Sequence, residues 1–334
     1  MRQIKLSICI PTFNRATYLD KLLYSISQIN QKHLEEIEIC ISDNKSTDST
    51  VEVIKKWKKI LYLNHNVNKL NYGAIKNVVI VANKARGKFI WIIGDDDIVI
   101  PEAVSDFCER LNLYKDNYDW FLFGTLSLKD KILFNFERVI EYSKSKTIFK
   151  SLLKYDNSYL GFLGHHIFSK EKTFQNLTEI NFNNHCYPHL TLLLSQPLKV
   201  KWINKYTSIK SGDLEWDPLS TYFVLLSYLL TLEKSYFGNF EKSILMFKYA
   251  LSFKLLKYNI LASMSNNYSY GRIKKDFQQI ALNITSKKLS FILSFHKLLL
   301  IILNMIPFRL KKRFINYDLY QVNNIENEGY NRKL

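Results

Sequence analysis

Phe89-Ile90-Trp91-Ile92-Ile93-Gly94-Asp95-Asp96-Asp97 runs from five apolar residues straight into three carboxylates. The first five are aromatic or β-branched and lie between Gly87 and Gly94, which reads as a buried strand. The three that follow are costly neighbours. Two carboxylates about 4 Å apart repel by roughly 1 kcal/mol in water and about 4 kcal/mol at an effective dielectric of 20. A divalent cation removes that repulsion, because hard cations take oxygen ligands. A solvated acidic loop, or the positive end of a helix beginning near Pro101, accommodates the same charge.

Working outward, the chain alternates strand and helix patterns up to about residue 125. Leu6 to Ile10 is an apolar run stopped by Pro11, and Leu19, Leu22, Leu23 and Ile26 then recur at helical spacing. Ile37 to Ile41 is a second strand that ends in Ser42-Asp43-Asn44-Lys45-Ser46-Thr47-Asp48. Val51, Ile54 and Trp57 mark a helix, and Leu61-Tyr62-Leu63 a third strand followed by an Asn-rich loop. Ile75, Val78, Val79 and Ala82 give a helical face, with Gly87 as its stop. Beyond the acidic triplet come a helix with Val104, Phe107 and Leu111 on one side, and a fifth strand from Trp120 to Phe123. Such alternation predicts a doubly wound, mostly parallel sheet with helices on both faces. Ligands in such sheets bind beyond the carboxyl ends of the strands. Thr12 to Arg15, Asp43 to Asp48 and Asp95 to Asp97 all fall at those ends.

Each polar residue there has a plain role beside a functional one. Arg15 suits a phosphate, while Asn14, Ser46 and Asp48 suit helix caps. A carboxylate at Asp43 can read the edge of a base.

The segments Leu6 to Arg15, Ser42 to Asp48, Asn71-Tyr72-Gly73 with Asn77, Ala85 to Ile90, and Trp91 to Pro101 together resemble the ordered motifs of family 2 glycosyltransferases. The resemblance covers the first third of the chain well and the next quarter weakly. It implies a GT-A, Rossmann-like fold and inverting transfer of a sugar from a nucleotide-diphosphate donor. It implies that Asp43 contacts the base, that Pro11 and Thr12 line the nucleoside pocket, and that Asp95 bonds the ribose. Asn14 and Arg15 belong to the same donor site, and Asn71, Gly73 and Asn77 shape the loop near the diphosphate. Asp96, with Asp97 in support, would carry Mn²⁺ or Mg²⁺. Many members have an aspartate where this chain has Gly94, which leaves the primary ligand open among the three.

Many members also carry an acidic pair as the base on the acceptor hydroxyl, and no obvious pair exists here. His185-Cys186-Tyr187-Pro188-His189 precedes an apolar run instead. Its Tyr187-x-His189 element resembles abequosyltransferase-like enzymes of O-antigen assembly. His189 is therefore the expected base, with His185, Asp213 and Asp217 as alternatives; an imidazole suits that task near neutral pH. The plain alternative for His189 is a capping or packed residue at a helix end, and His165-His166 either packs or lines an acceptor site.

The whole chain has 334 residues, 47% hydrophobic, with only 10 Gly and 6 Pro. The expected division is a donor-binding and catalytic domain over 1–217 and a helical region over 218–334. The net charge of +17 favours an anionic partner. No basic block and no zinc-finger spacing appears, so nucleic acid is not expected. Four cysteines without a Cys-x-x-Cys pair read as free thiols in a reducing, cytoplasmic setting. From Leu289 to Phe308 an apolar stretch is flanked by Lys and Arg, with His296 and Lys297 at its middle. A membrane-spanning helix would resist those two residues. The stretch reads either as an in-plane helix on an anionic inner leaflet or as a buried helix of the C-terminal region. The acceptor then expected is a saccharide, lipid-linked, in surface polysaccharide synthesis. The alternative is a non-catalytic, nucleotide-sugar-binding subunit of a synthesis complex.

Overall fold

The computed structural model describes residues 3–114, 117–127, 141–142, 163–174, 187–194, 198–210, 228–229, 231–232, 235, 238–250 and 287–305. Its strands are β1 (Leu6–Thr12), β2 (Ile37–Asp43), β3 (Leu63–Val67), β4 (Phe89–Ile92), β5 (Asp97–Val99), β6 (Trp120–Ser127), β7 (Glu141–Tyr142), β8 (His166–Ser169) and β9 (Val200–Lys210). Its helices are α1 (Ala16–Ser27), α2 (Gln31–Leu34), α3 (Thr50–Trp57), α4 (Ala74–Lys84) and α5 (Pro101–Tyr114). Four more follow: α6 (Lys170–Phe174), α7 (Pro188–Leu194), α8 (Asn239–Ala250) and α9 (Lys287–Met305). The chain divides into two compact units, Met1–Leu214 with Lys234–Gly238, and Glu215–Glu233 with Asn239–Leu334. The expected boundary at 217/218 lies outside the described residues.

The first unit holds the whole sheet, in the order β3-β2-β1-β4-β8-β6-β9-β5, with β7 pairing β9. Strands β3, β2, β1 and β4 are mutually parallel. This is the expected doubly wound half. Strand β8 then enters antiparallel between β4 and β6, and β5 runs antiparallel to β9, so the sheet is mixed. Strands β1 and β4 of the parallel half are apolar almost throughout because both faces are covered, whereas the outer strand β3 is polar and only partly buried. Leu6, Ile8 and Ile10 of β1, and Phe89 and Trp91 of β4, are fully buried.

Amphipathic helices cover these faces. Helix α1 buries Leu19, Leu22, Leu23 and Ile26, as the spacing predicts. Helix α4 packs on β1 and β2 through Asn77, Val78, Val81 and Ala82. The buried face is thus rotated from the expected one, and Ile75 and Val79 are only partly covered. The rotation brings Asn77 to the strand ends, where it has hydrogen-bond partners.

Three local readings change. Pro11 does not stop β1, which continues through it to Thr12. The last β1–β4 pair is Cys9 with Ile92, so Pro11 has only β2 beside it and behaves as an edge proline. The third strand begins at Leu63 instead of ending there. Gly87 is not a helix cap either: α4 ends at Lys84 with Ala85 as its C-cap. A Cβ on Gly87 would lie 2.7 Å from Ser7 Oγ and 2.8 Å from Ser7 N, so the glycine allows close approach to β1.

Cys9, Cys40 and Cys108 are free and buried, as expected of core thiols. Burial pushes the Cys108 thiol up to about 12. Cys186 lies outside the described residues.

Candidate active site

The carboxyl ends of β1, β2 and β4 meet at one place. Strand register sets Thr12 beside Asp43. The turn after β4 brings Asp95 to Thr12, whose Oγ1 donates a 2.7 Å hydrogen bond to Asp95 Oδ2. Arg15 Nη1 lies 2.9 Å from Asp96 Oδ2 and 3.5 Å from Asp95 Oδ1. The segment after β1 and the acidic turn after β4 are therefore joined by one guanidinium and one hydroxyl.

Asp43 is completely buried. Its Oδ1 accepts from the backbone N–H and the hydroxyl of Ser46, at 3.0 and 2.6 Å. Its Oδ2 is buried with no hydrogen-bond partner. A buried, unsatisfied carboxylate oxygen is unfavourable by about 1–3 kcal/mol or more. Such an atom marks a place where a ligand donor fits.

Asp95 is also buried. Removal from water, reinforced by the Asp96 charge, raises its pKa to about 6, against the pull of the Thr12 hydroxyl, Arg15 and the Phe13 backbone N–H. Asp96 is more exposed, its side chain 22% accessible.

Gly94 explains how three consecutive carboxylates coexist. A Cβ there would lie 2.7 Å from Asp96 Oδ1 and 3.2 Å from Asp97 Oδ2, so these two oxygens flank the bare Cα. Asp97 Oδ2 also accepts from Gly94 N–H at 3.2 Å. The aspartate that the family resemblance places here would fill that space. Two hard carboxylate oxygens turned to one point suit Mg²⁺ or Mn²⁺, which binds through one or two carboxylates and completes its shell with phosphate and water. Among the described residues no group of three or more His, Cys, Asp or Glu is placed to hold a metal ion, so any such ion would rest on these two carboxylates and on donor phosphate.

The supporting loops hold themselves together. Asn14, with φ of 53°, is not the expected helix cap. Its N–H donates to Ser46 Oγ and its Oδ1 accepts from Thr47 N–H, which fastens the first loop to the second. Asp48 does the capping, and for two helices. Its Oδ2 accepts from Ala16 N–H at the start of α1, and its Oδ1 from Thr50 N–H at the start of α3. Ser46 serves Asp43 instead of a helix.

Behind them lies an asparagine network that the sequence reading took only as a loop. Asn77 accepts from Ser42 Oγ and Asn68 Nδ2, and donates to Ser42 O. Asn44 accepts from Asn68 Nδ2 and Tyr72 N–H, and donates to Asn71 Oδ1. Asn71 Oδ1 also accepts from Gly73 N–H, and Gly73 has φ of 82°, a conformation that favours glycine. Asn71, Gly73 and Asn77 are thus joined to the Asp43 loop. Asn44 and Asn68 were missed. The repeated asparagines between β3 and α4 were the available signal, since buried amides need mutual partners.

A second cluster forms around β8. His189, 3% exposed, packs its ring 4.9 Å from His166 and 6.2 Å from Tyr187. Trp120 Nε1 donates to His166 Nδ1 at 3.1 Å. His165 and His166 stand at the start of β8, which is antiparallel to β4 and so begins at the edge where β4 ends. A Cβ on Gly164 would come within 3.5 Å of Asp97 Oδ2, which ties this cluster to the acidic turn. His185, Asp213 and Asp217 lie outside the described residues.

Against known proteins, residues 7–171 match the model of Glycosyl transferase family 2. Abequosyltransferase RfbV of Salmonella typhimurium is 38% identical over 118 residues, 34% of each chain. A GalNAc(5)-diNAcBac-PP-undecaprenol beta-1,3-glucosyltransferase of Campylobacter jejuni is 31% identical over 113 residues, 32% of this chain and 35% of its own. The aligned part thus spans about a third of those relatives. Among solved structures, S. aureus TarS 1-349 in complex with UDP superposes with TM-score 0.62 at 15% identity, over 90% of this chain and 89% of that one. The mannosyltransferase PcManGT of Pyrobaculum calidifontis, in complex with GDP-Man and Mn2+, does so with TM-score 0.54 at 11% identity, over 91% and 87%. These two likenesses establish the GT-A fold. Through residues 7–171 the chain belongs to glycosyl transferase family 2.

Proposed function

We propose that this chain is an inverting glycosyltransferase of surface polysaccharide synthesis, taking its sugar from a nucleotide-diphosphate donor and passing it to a lipid-linked saccharide. The observation that carries the reading is Asp43 Oδ2, buried and without a hydrogen-bond partner, on a residue registered beside the Thr12 that bonds Asp95. A base edge with a ring N–H gives that oxygen its missing donor. Thr12 and Pro11 line the nucleoside, and Asp95 accepts from a ribose hydroxyl. Arg15 leaves the carboxylates to meet the diphosphate, with Asn14 fixing the loop that carries it. Asn71, Gly73 and Asn77 hold the loop on the other side. Asp96 and Asp97 would hold Mn²⁺ or Mg²⁺, which neutralises charge on the departing diphosphate when bound. The acceptor oxygen bonds to the anomeric carbon as the bond to the diphosphate breaks, the electron pair leaving with the phosphate. The acceptor proton passes to His189, whose ring is braced by His166.

The relatives support this reading through their names, an abequosyltransferase and a glucosyltransferase named for an undecaprenol-linked saccharide. The test is metal-dependent donor turnover, by release of nucleoside diphosphate, with donors of different base and sugar. Asp96→Ala should lose at least about 100-fold in kcat, the scale on which removing transition-state charge stabilisation acts. His189→Gln should lose about 100-fold or more in kcat while the donor still raises the melting temperature. Wild-type turnover in Asp96→Ala would reject the metal assignment. A donor that binds the wild type and never turns over would point instead to the non-catalytic subunit.

A further inference from the structure

Helix α9 has two different faces. Ile292, Leu293, His296 and Leu300 are buried, and His296 Nε2 lies 3.1 Å from the carbonyl oxygen of Ala250 at the end of α8. Phe291, Phe295, Leu298, Ile302 and Met305 are exposed, at 68, 43, 57, 47 and 79%. Their spacing of four, three, four and three residues sets all five on one side of the helix. The stripe spans about 21 Å at a rise of about 1.5 Å per residue. Single exposed apolar residues are ordinary, whereas a continuous row marks a contact surface.

We infer that this stripe is a docking face for the surface of an anionic lipid bilayer, with α9 lying in the plane of the interface. Charge identifies the occupant. From 287 to 313 the chain carries seven Lys or Arg residues and no Asp or Glu. Lys287 is exposed on the first turn, in line with the stripe. Basic residues on and next to such a stretch of sequence are complementary to anionic headgroups, which attract each Lys or Arg while apolar side chains enter the acyl boundary. A second copy of the helix would bring like charges together with no acidic partner to pair them. Spanning is not available: among the described residues no helix is long and apolar enough to cross a membrane. The inference does not depend on the donor chemistry proposed above, although it places the chain where lipid-linked acceptors reside.

The experiment is flotation of the full chain with phosphatidylcholine vesicles, with and without phosphatidylserine, at low and high salt and with no donor present. The wild type should float with the anionic vesicles and be released from them by salt, and should float poorly with neutral ones. The triple variant Phe291→Gln, Leu298→Gln, Met305→Gln alters only exposed positions with a good helix former. It should lose partitioning at least about tenfold, with its helical circular dichroism and its nucleotide-induced thermal shift unchanged. Lys287→Glu should weaken partitioning at low salt and not at high salt. A wild type that stays out of the anionic vesicles overturns the inference, as does a triple variant that floats equally well. Loss of a dimer in the triple variant without any flotation assigns the stripe to a second copy. A wild type that floats but never turns over donor sinks the proposed activity and leaves the docking face standing.

Discussion

The site rests on a few atoms whose surroundings can be changed one at a time. Asp43 uses its two oxygens differently, Oδ1 for Ser46 and Oδ2 for no protein group. Asp43→Asn can keep the first contact and turn the second position from acceptor to donor. Donor affinity, measured by calorimetry, should fall about 10- to 100-fold, the worth of a hydrogen bond to a charged group, with little change in melting temperature. Gly94→Ala should separate metal from nucleotide. The added carbon would meet Asp96 Oδ1 at 2.7 Å, so the carboxylates must shift. Mn²⁺ affinity by electron paramagnetic resonance should drop at least about tenfold, since ligand positions must be held closely, while binding of a bare nucleoside is preserved. At this scale the sequence was informative where a charge stood at the end of an apolar run, because burial beside a strand end leaves few explanations. It foresaw Asp48 as a cap but was uninformative for Asn44 and Asn68. Their partners come from loops up to about thirty residues away, and amide or carboxylate pairing across loops leaves no periodic trace.

The elements were legible where both faces of a strand are covered. Strands β1, β2 and β4 read as near-continuous apolar runs, and α1 as a periodic one. Strands β8 and β9 were not legible. His166-Ile167-Phe168-Ser169 is short and carries a polar residue at each end, and its place between β4 and β6 is a matter of topology, not propensity. One tie between elements has a measurable worth. Glu38 in β2 accepts from Ser7 Oγ in β1 and from Arg86 Nε, just beyond α4. Burial alone would raise its pKa, but the Ser7 and Arg86 hydrogen bonds and the Arg86 charge outweigh that and hold it below the ordinary value. A carboxylate depressed in this way stabilises the fold above the ordinary glutamate range, and that contribution is lost as pH falls through its folded value. Glu38→Gln should therefore destabilise the first unit by about 2 kcal/mol at pH 7, the scale of a hydrogen bond to a charged group, since the Arg86 left behind is half exposed and stays solvated. The loss should shrink toward pH 3, as followed by urea denaturation at each pH.

At the scale of the molecule, one buried group in each unit responds to acid in the opposite sense to the other. In the second, burial lowers the pKa of His296 from 6.5 to about 4, only partly offset by the Ala250 carbonyl. A depressed histidine stabilises above its unfolded pKa, and the benefit is lost as pH falls toward the folded one. The gap, at about 1.4 kcal/mol per pH unit, is worth about 3 kcal/mol. In the first unit Asp95 is raised from 3.8 to about 6, so its penalty grows as pH rises through that range and relaxes on acidification. Between pH 6.5 and 4.5 the second unit should lose stability through His296, while in the first the relief at Asp95 offsets the smaller loss at His65, whose pKa burial also lowers. Calorimetric scans across that interval should show one transition moving down and splitting from the other, and His296→Leu should remove most of that movement. Two transitions that shift together would contradict the assignment.

The insertion of β8 beside β4 has a consequence for biogenesis. A ribosome delivers β1 to β4 long before Ile167 and Phe168, the residues that close β4's outer edge. Until then a nascent chain displays Phe89, Ile90 and Trp91 along an unpaired apolar rim. Chaperone demand, and the harm done by premature stop codons, should therefore concentrate between those two points of synthesis.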